Sequence, residues 1–566
     1  MEDTIIERSA PQLRSRRNAA RRAEAACAVL VLGFALSACG GGPSAGNSAG
    51  GAAGAPASGS ANGGDPPLVM ARVKDAVILD PSHATDGLSL NTTNEVMQGL
   101  VTFKPGSFDV VGDAAQSWKA SADGKTWTFD LKPGLQFSDG TPLDAAAVKF
   151  NLDRWRLATS PAHGNFSYSY YADVFGGFPG MISDVRVISP TRVAIVLTQP
   201  LGPFLRNLAE QAFVIGSPAA INADPKGFEL RPVGSGPYTV AEWVRDDHIT
   251  LVANPKWQGQ KPSYPTVIIR DIPDQATSVL SIQKGDIDML TDPRPDDAKQ
   301  LATDSKLAVV EQPSNNVSYV AMDVEKKPFG DVRVRQAVAY ALDLHAMASG
   351  LYSKGAIVAD NWIPPGMLGE NPAVKAYPRD IAKAKALLAA AGFPHGFATS
   401  LSYPTAPRPY LPDPSRVAEA IQANLKEAGI DVTLQPSEFG VFLDKVKHGQ
   451  HEMCLIGWTG DNGDPDNFLY PLLDQDSAHK DGTAQNYSFW RDRAFHQLML
   501  AGQHTVDDAK RKVIYQKALV MVHDRVPAIP LVHTTVPIVL KASLRGFVPS
   551  PNTSYHFNLI HGPAGS

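Results

Sequence analysis

The sequence predicts an α/β protein built in two or three lobes. Residues 68–566 are about five hundred positions, too many for one hydrophobic core. Short strands and amphipathic helices follow one another along that stretch, in the order helix, short turn, strand that marks an α/β domain with a mainly parallel sheet. No Gly/Ser linker interrupts it, which suggests that the chain crosses between lobes more than once.

From the N-terminus, the chain first reads as an export signal. Arg14, Arg16, Arg17, Arg21 and Arg22 precede an apolar run from Ala28 to Leu36. A bilayer span takes roughly 20 apolar residues, so this run is too short, and it ends in small residues. Arg21-Arg22 lacks the apolar neighbours of a twin-arginine signal, and the long basic region leaves room for a start downstream of Met1. Leu36-Ser37-Ala38-Cys39 matches a lipobox, so residues 1–38 are expected to be removed and Cys39 to carry lipid. An ordinary signal peptide with an incidental cysteine is the alternative. The stretch 39–67 continues as a tether, with 40–67 almost entirely Gly, Ala, Ser, Asn and Pro. Such a segment buries too little apolar surface to fold, and its root-mean-square reach is about 30 Å. The expected product is an exported, monomeric protein held at the cell envelope by lipid.

The folded elements follow. Thr126–Leu131 alternates Trp127, Phe129 and Leu131 on one face after an Asp123-Gly124 turn, as a half-buried strand does. Asp144 caps a helix carrying Val148 and Leu152, and Asp331 precedes one with Val334, Val338, Ala341 and Leu342 at helical spacing. Ser415 starts another, with Val417, Ile421 and Leu425 in a stripe and Gly429 as its stop; Asp431–Leu434 follows as a strand. There is no internal repeat.

Removing 1–38, which hold six Arg and four acids, leaves 46 basic and 53 acidic residues, a net charge of −7. That excludes a nucleic-acid partner of the basic-patch kind. Of the three cysteines, Cys27 goes with the signal, Cys39 takes lipid, and Cys454 remains as a buried strand residue between apolar neighbours, without a disulfide.

Several stretches resemble the extracellular solute-binding proteins of family 5. They are Trp118 to Arg154, including Phe137-Ser138-Asp139-Gly140-Thr141-Pro142; Gly234-Ser235-Gly236-Pro237-Tyr238; and Asp331-Val332-Arg333-Val334-Arg335-Gln336-Ala337. The similarity runs through essentially all of 68–566. It implies a two-lobed periplasmic-binding-protein fold with mixed sheets, a hinged cleft and an extra domain inserted in the first lobe. Lobe I would comprise 68–98, 234–318 and 530–566, the insertion 99–233, and lobe II 319–529.

The richest local signal is Gly457 to Phe468, which sets an indole, a Gly-rich turn and several carboxylates in one loop. Within the family it resembles the ligand loop of dipeptide binders, subunits of ABC importers whose permease and ATPases are separate chains. A dipeptide is a zwitterion of fixed length, so two opposed charged anchors measure it. By this resemblance Arg408, in Pro407-Arg408-Pro409-Tyr410, takes the carboxylate through its planar fork, and Asp461, after Trp458-Thr459-Gly460, takes the ammonium. Trp458 and Tyr410 would wall the side-chain pockets, with Thr459 and Gly460 beside them. Gly87, in Thr85-Asp86-Gly87, would belong to the closing face of lobe I, where the chain departs from the family pattern. Taken alone, Arg408 reads equally as a solvated loop residue, Asp461 as a turn former, and both aromatics as packing.

Other chemistries fit less well. Residues 461–468 lack the sixth-position Gly and twelfth-position Glu of an EF-hand. His448 and His451 lack a third zinc ligand at helical spacing. Ser281-Ile282-Gln283-Lys284 matches Ser-x-x-Lys, but the accompanying Ser-Asp-Asn and Lys-Thr-Gly of penicillin-binding enzymes are missing, so no catalytic residue, cofactor or metal is assigned. Within the binding class, longer oligopeptides, glutathione, nickel chelates and haem remain open. Arg408 suits any anionic ligand, whereas Asp461 makes sense only for a ligand that brings a cation. An exported peptide-processing enzyme is the distant alternative.

Overall fold

In the computed structural model, which describes residues 66–164 and 166–563, two mixed β-sheets form the centres of the two lobes. Residues 1–38, Cys39 and all of the tether except 66 and 67 lie outside the described residues. The first sheet has the order Leu307–Pro313, Thr535–Lys541, Met289–Thr291, Leu68–Arg72, Thr266–Asp271, His248–Ala253, Tyr238–Val244. Only Leu68–Arg72 runs parallel to its neighbours; the other pairs are antiparallel. The second sheet has the order Ile357–Val358, Ala528–His533, Asn316–Met322, Met453–Thr459, Phe397–Pro404, Ile430–Ser437. Here Phe397–Pro404 is parallel to both neighbours and the rest pair antiparallel. The mainly parallel sheet read from helix–turn–strand order is thus corrected to mixed sheets. That order describes local segments, while the pairing also includes a hairpin (238–253) and strands that arrive from the other lobe.

Those arriving strands define the crossings. Leu307–Pro313 and Asn316–Met322 belong to different sheets with only Ser314 and Asn315 between them, and Ala528–His533 and Thr535–Lys541 are separated by Thr534 alone. The crossings are tied together: Asn316 Nδ2 donates to Thr534 Oγ1 at 2.6 Å, and the Ser314 amide donates to the Thr534 carbonyl at 3.2 Å.

Residues 101–213 add a four-stranded antiparallel sheet (Ala115–Ala120, Thr126–Leu131, Arg192–Leu197, Ile182–Ser189) and the pair Val101–Phe103 with Val110–Gly112. Trp127, Phe129 and Leu131 are buried on one face of their strand, as the alternation predicts. The helix Ala145–Arg156 starts where Asp144 accepts from the amides of Ala146 and Ala147. The helix expected from Ser415 instead begins at Pro414, capped by Asp413; proline needs no hydrogen bond at that first position, and Gly429 follows the end at φ +93°. Ser281 and Lys284 lie in the last turns of Gln275–Lys284, before a left-handed Gly285. Cys454 is buried within its strand.

The layer 101–213 also clasps the second lobe. Arg206, in the short helix Phe204–Leu208, donates to both oxygens of Asp508 at 3.2 and 3.1 Å and lies 3.8 Å from Asp464. Asn462 Nδ2 donates to Asn207 Oδ1 at 2.7 Å, and the Gly202 amide to the Gln503 carbonyl at 2.6 Å. Asp508 is half exposed, so solvent screens its pairing with Arg206 to about 1 kcal/mol or less. Arg206→Ala is therefore expected to shift the ligand-free chain toward an open form, read as a larger radius of gyration in solution scattering. An unchanged scattering profile would show that the clasp does not hold the lobes.

Candidate functional site

Phe397–Pro404 and Met453–Thr459 are parallel neighbours, with Leu401 beside Met453 and Ser402 beside Cys454. Their C-terminal ends lie at one edge, from which the loops 405–413 and 460–465 leave. In α/β sheets ligands bind outside that edge. Topology therefore brings the loops carrying Arg408 and Asp461 to the same side of the second lobe.

Arg408 is half-buried, and its amide and carbonyl pair with Leu411 at 3.0 and 2.8 Å. Its guanidinium stacks 3.5 Å from the centroid of the Phe439 ring, and Nε is buried without a partner. No ion pair to Arg408 occurs among the described residues. A stacked, unpaired guanidinium keeps its fork available to an anion. Thr534 Oγ1 donates to the Pro409 carbonyl at 2.9 Å, tying this loop to a crossing strand. Tyr410 is only 8% exposed; its ring lies on Gly457, where a Cβ would collide with it.

In the second loop, Asn467 holds two groups at once: its Oδ1 accepts from Trp458 Nε1 at 3.3 Å and from the Asp461 amide at 3.1 Å. Trp458 is half-buried against the sheet and Thr459 is exposed at the strand end. Gly460 exchanges hydrogen bonds with Asn315, 2.7 Å each, next to the first crossing. Gly87 opens the helix Gly87–Asn94, capped by Asp86, and a Cβ there would meet open space.

The carboxylates of this loop divide by environment. Asp464 is fully buried and takes both ends of the Arg511 fork at 2.7 Å. Burial would raise it, yet the Arg511 guanidinium holds it below its ordinary 3.8. Asp466 is pushed up to about 7 by burial, with the charge of Asp464 adding to the effect. Asp461 faces a cavity of about 400 Å³ between the second lobe and residues 170–207. Its side chain meets the solvent of the cavity while the walls desolvate it. Burial raises its pKa and the charge of Asp173 raises it further, against a hydrogen bond from Asn467. Among the described residues no lysine or arginine lines that cavity. Arg408 is not among the lining residues either, so the two anchors share an edge and not this cavity. Arg511, Tyr170, Asp173 and Glu210 join the neighbourhood from segments with no motif around them, and local sequence carried no signal for them.

His451 Nε2 bonds the Tyr487 carbonyl at 2.8 Å in the interior. Asp474, Asp476 and His496 cluster within metal-ligand spacing, but His496 Nδ1 is already engaged by Asp474 at 2.9 Å.

Comparison with known proteins agrees with this architecture. The family model described as bacterial extracellular solute-binding proteins, family 5 Middle, matches residues 109–480. The Dipeptide-binding protein of Escherichia coli (strain K12) is 35% identical over 495 residues, covering 85% of this chain and 92% of that protein. Heme-binding protein A of Haemophilus influenzae is 31% identical over 498 residues, covering 85% and 90%. The solved structure of HbpA2 from Haemophilus parasuis superposes with a TM-score of 0.82 at 29% identity, over 88% of this chain and all of that one. The chain therefore belongs to the bacterial extracellular solute-binding proteins of family 5, a family of binders and not of enzymes.

Proposed function

We propose that this chain is the substrate-capturing component of an ABC importer for short peptides, dipeptides above all. Arg408 takes the ligand's carboxylate and Asp461 its ammonium. One observation carries the reading: among the described residues, a guanidinium with no ion pair and a carboxylate without a cationic partner stand on loops at the same sheet edge. A zwitterion neutralises both. Its binding energy comes from closing the lobes around it, since such pairs contribute little in open water. Lobe I is proposed as 68–98, 234–313 and 535–566, the insertion as 99–233 and lobe II as 316–533, with rotation about the paired crossings at 314–315 and 534; the boundaries at 318 and 530 expected from the resemblance fall inside strands of the second sheet. Ligand shifts an open–closed equilibrium, and the closed form docks on a separate permease. Cys39 and the tether 40–67 hold the monomer to the membrane by lipid.

Haem is the second reading, favoured by the 31% identity to a heme-binding protein. Thermal unfolding of the full chain separates the two. An unmodified dipeptide at a hundred times its Kd should stabilise the fold by about 2.7 kcal/mol. Stabilisation by haem with none by any dipeptide would overturn the peptide reading.

A further inference from the structure

Beyond Asp461, the amine end of the cleft holds more carboxyl groups than one ammonium engages. Glu210 is 5% exposed, and neither of its carboxylate oxygens has a hydrogen-bond partner. It follows the helix Phe204–Leu208, its amide bonded at 3.3 Å to the carbonyl of Asn207, a wall residue of the cavity that Asp461 faces. A carboxyl left without donors in the interior is costly unless something arrives to meet it. Asp173 and Asp466 line the same cavity, and Tyr170 stands on its wall.

The Tyr170 hydroxyl lies in the field of these groups. Burial raises its pKa, and the carboxylates of Asp461, Glu210, Asp86 and Asp173 raise it further. Burial likewise raises Glu210 well above its usual range, and Asp461 is the charge that adds to it. The charged groups acting on Glu210 and Asp461 are other carboxylates; no lysine or arginine is among them. The segments around 170–173 and 210 thus bring carboxyl groups and no lysine or arginine toward the Asp461 loop, with the His504 imidazole also on the cavity wall.

A ligand whose ammonium sits on Asp461 and whose backbone runs toward Arg408 has one branch left at its first Cα. That branch is the first side chain, and the cavity beyond Asp461 is the space beside it. We propose that this cavity is a subsite for a basic first side chain, so that the chain prefers peptides beginning with lysine or arginine, with Asp173 on its wall as the specificity-determining carboxylate and Glu210, bonded through its amide to the wall residue Asn207, supporting it from outside the lining. This rests on Asp461 being the ammonium anchor.

The test is titration calorimetry of the full chain with Lys-Ala, norleucine-Ala, Ala-Ala and Ala-Lys. Lys-Ala is expected to bind at least tenfold tighter than norleucine-Ala, which has the same shape without the charge, and tighter than Ala-Lys. Glu210→Gln and Asp173→Asn should each erode that preference severalfold while leaving the affinity for Ala-Ala within about twofold. Asp173 is exposed, so its variant keeps the fold even where the Glu210 variant does not. Equal affinity for Lys-Ala and norleucine-Ala, or a preference untouched by both variants, overturns the subsite while the dipeptide reading stands. Failure of all four peptides to bind overturns the dipeptide reading and the subsite with it.

Discussion

Replacing Arg511 with alanine is expected to cost about 3–5 kcal/mol of stability, the penalty for leaving one member of a buried ion pair behind. Both side chains of the Arg511–Asp464 pair are fully buried, and the pairing is two-pronged at 2.7 Å. Arg511 also donates to the Gly502 carbonyl at 3.0 Å. Arg206, 3.8 Å from Asp464, is too distant to replace the fork. The sign of the pH dependence follows from Asp464, which Arg511 holds below its ordinary 3.8 against the upward push of burial. A carboxylate held below its unfolded value stabilises the fold above that value, and the contribution fades as pH falls through the native one. The gap between wild type and Arg511→Ala in denaturant unfolding should therefore be full near neutrality and narrow below about pH 4. A variant as stable as wild type at pH 7 would show that the pair contributes no net stability. Because Asp464 lies three residues after Asp461, this variant should also weaken ligand binding by loosening the loop.

The largest expected effect on binding comes from Asp461→Ala. Removing one partner of a desolvated charge pair costs about 2–4 kcal/mol, a roughly 30- to 1,000-fold loss of affinity. Stability should hardly fall, since Asp461 has no cationic partner among the described residues and burial already disfavours its charge. Unfolding midpoint and affinity thus separate its role from that of Asp464: Asp461→Ala loses ligand and keeps its unfolding midpoint, whereas Arg511→Ala, which strands Asp464, loses stability first.

Local elements were legible because their signals are local. The alternation in Thr126–Leu131, the caps at Asp144 and Asp331, and the apolar setting of Cys454 depend on residues within a turn or two. The start at Pro414 was missed by one residue because Ser415 offers a capping hydroxyl that Asp413, with proline after it, displaces. Local order alone reads as a mainly parallel sheet, whereas the mixed sheets implied by the family resemblance are what forms, because antiparallel partners such as Leu307–Pro313 and Thr535–Lys541 lie far apart in the chain and leave no local signal. The same limit hid half of the site. Arg206 and Asp508 are 302 positions apart, and nothing near Glu210 distinguishes it from a surface glutamate. Within the loop, three aspartates fall between positions 461 and 466, but only packing separates Asp464, neutralised by Arg511, from Asp461, left for a ligand.

Isothermal titration of the full chain with an unmodified dipeptide, its N-acetylated form and its C-amidated form, repeated on Asp461→Ala and Arg408→Ala, tests the two-anchor claim most directly. The account predicts that acetylation weakens wild type but not Asp461→Ala, and that amidation weakens wild type but not Arg408→Ala. Equal binding of the free and acetylated peptides by wild type would contradict it, removing the ammonium role of Asp461 and pointing to an anionic ligand held by Arg408 alone.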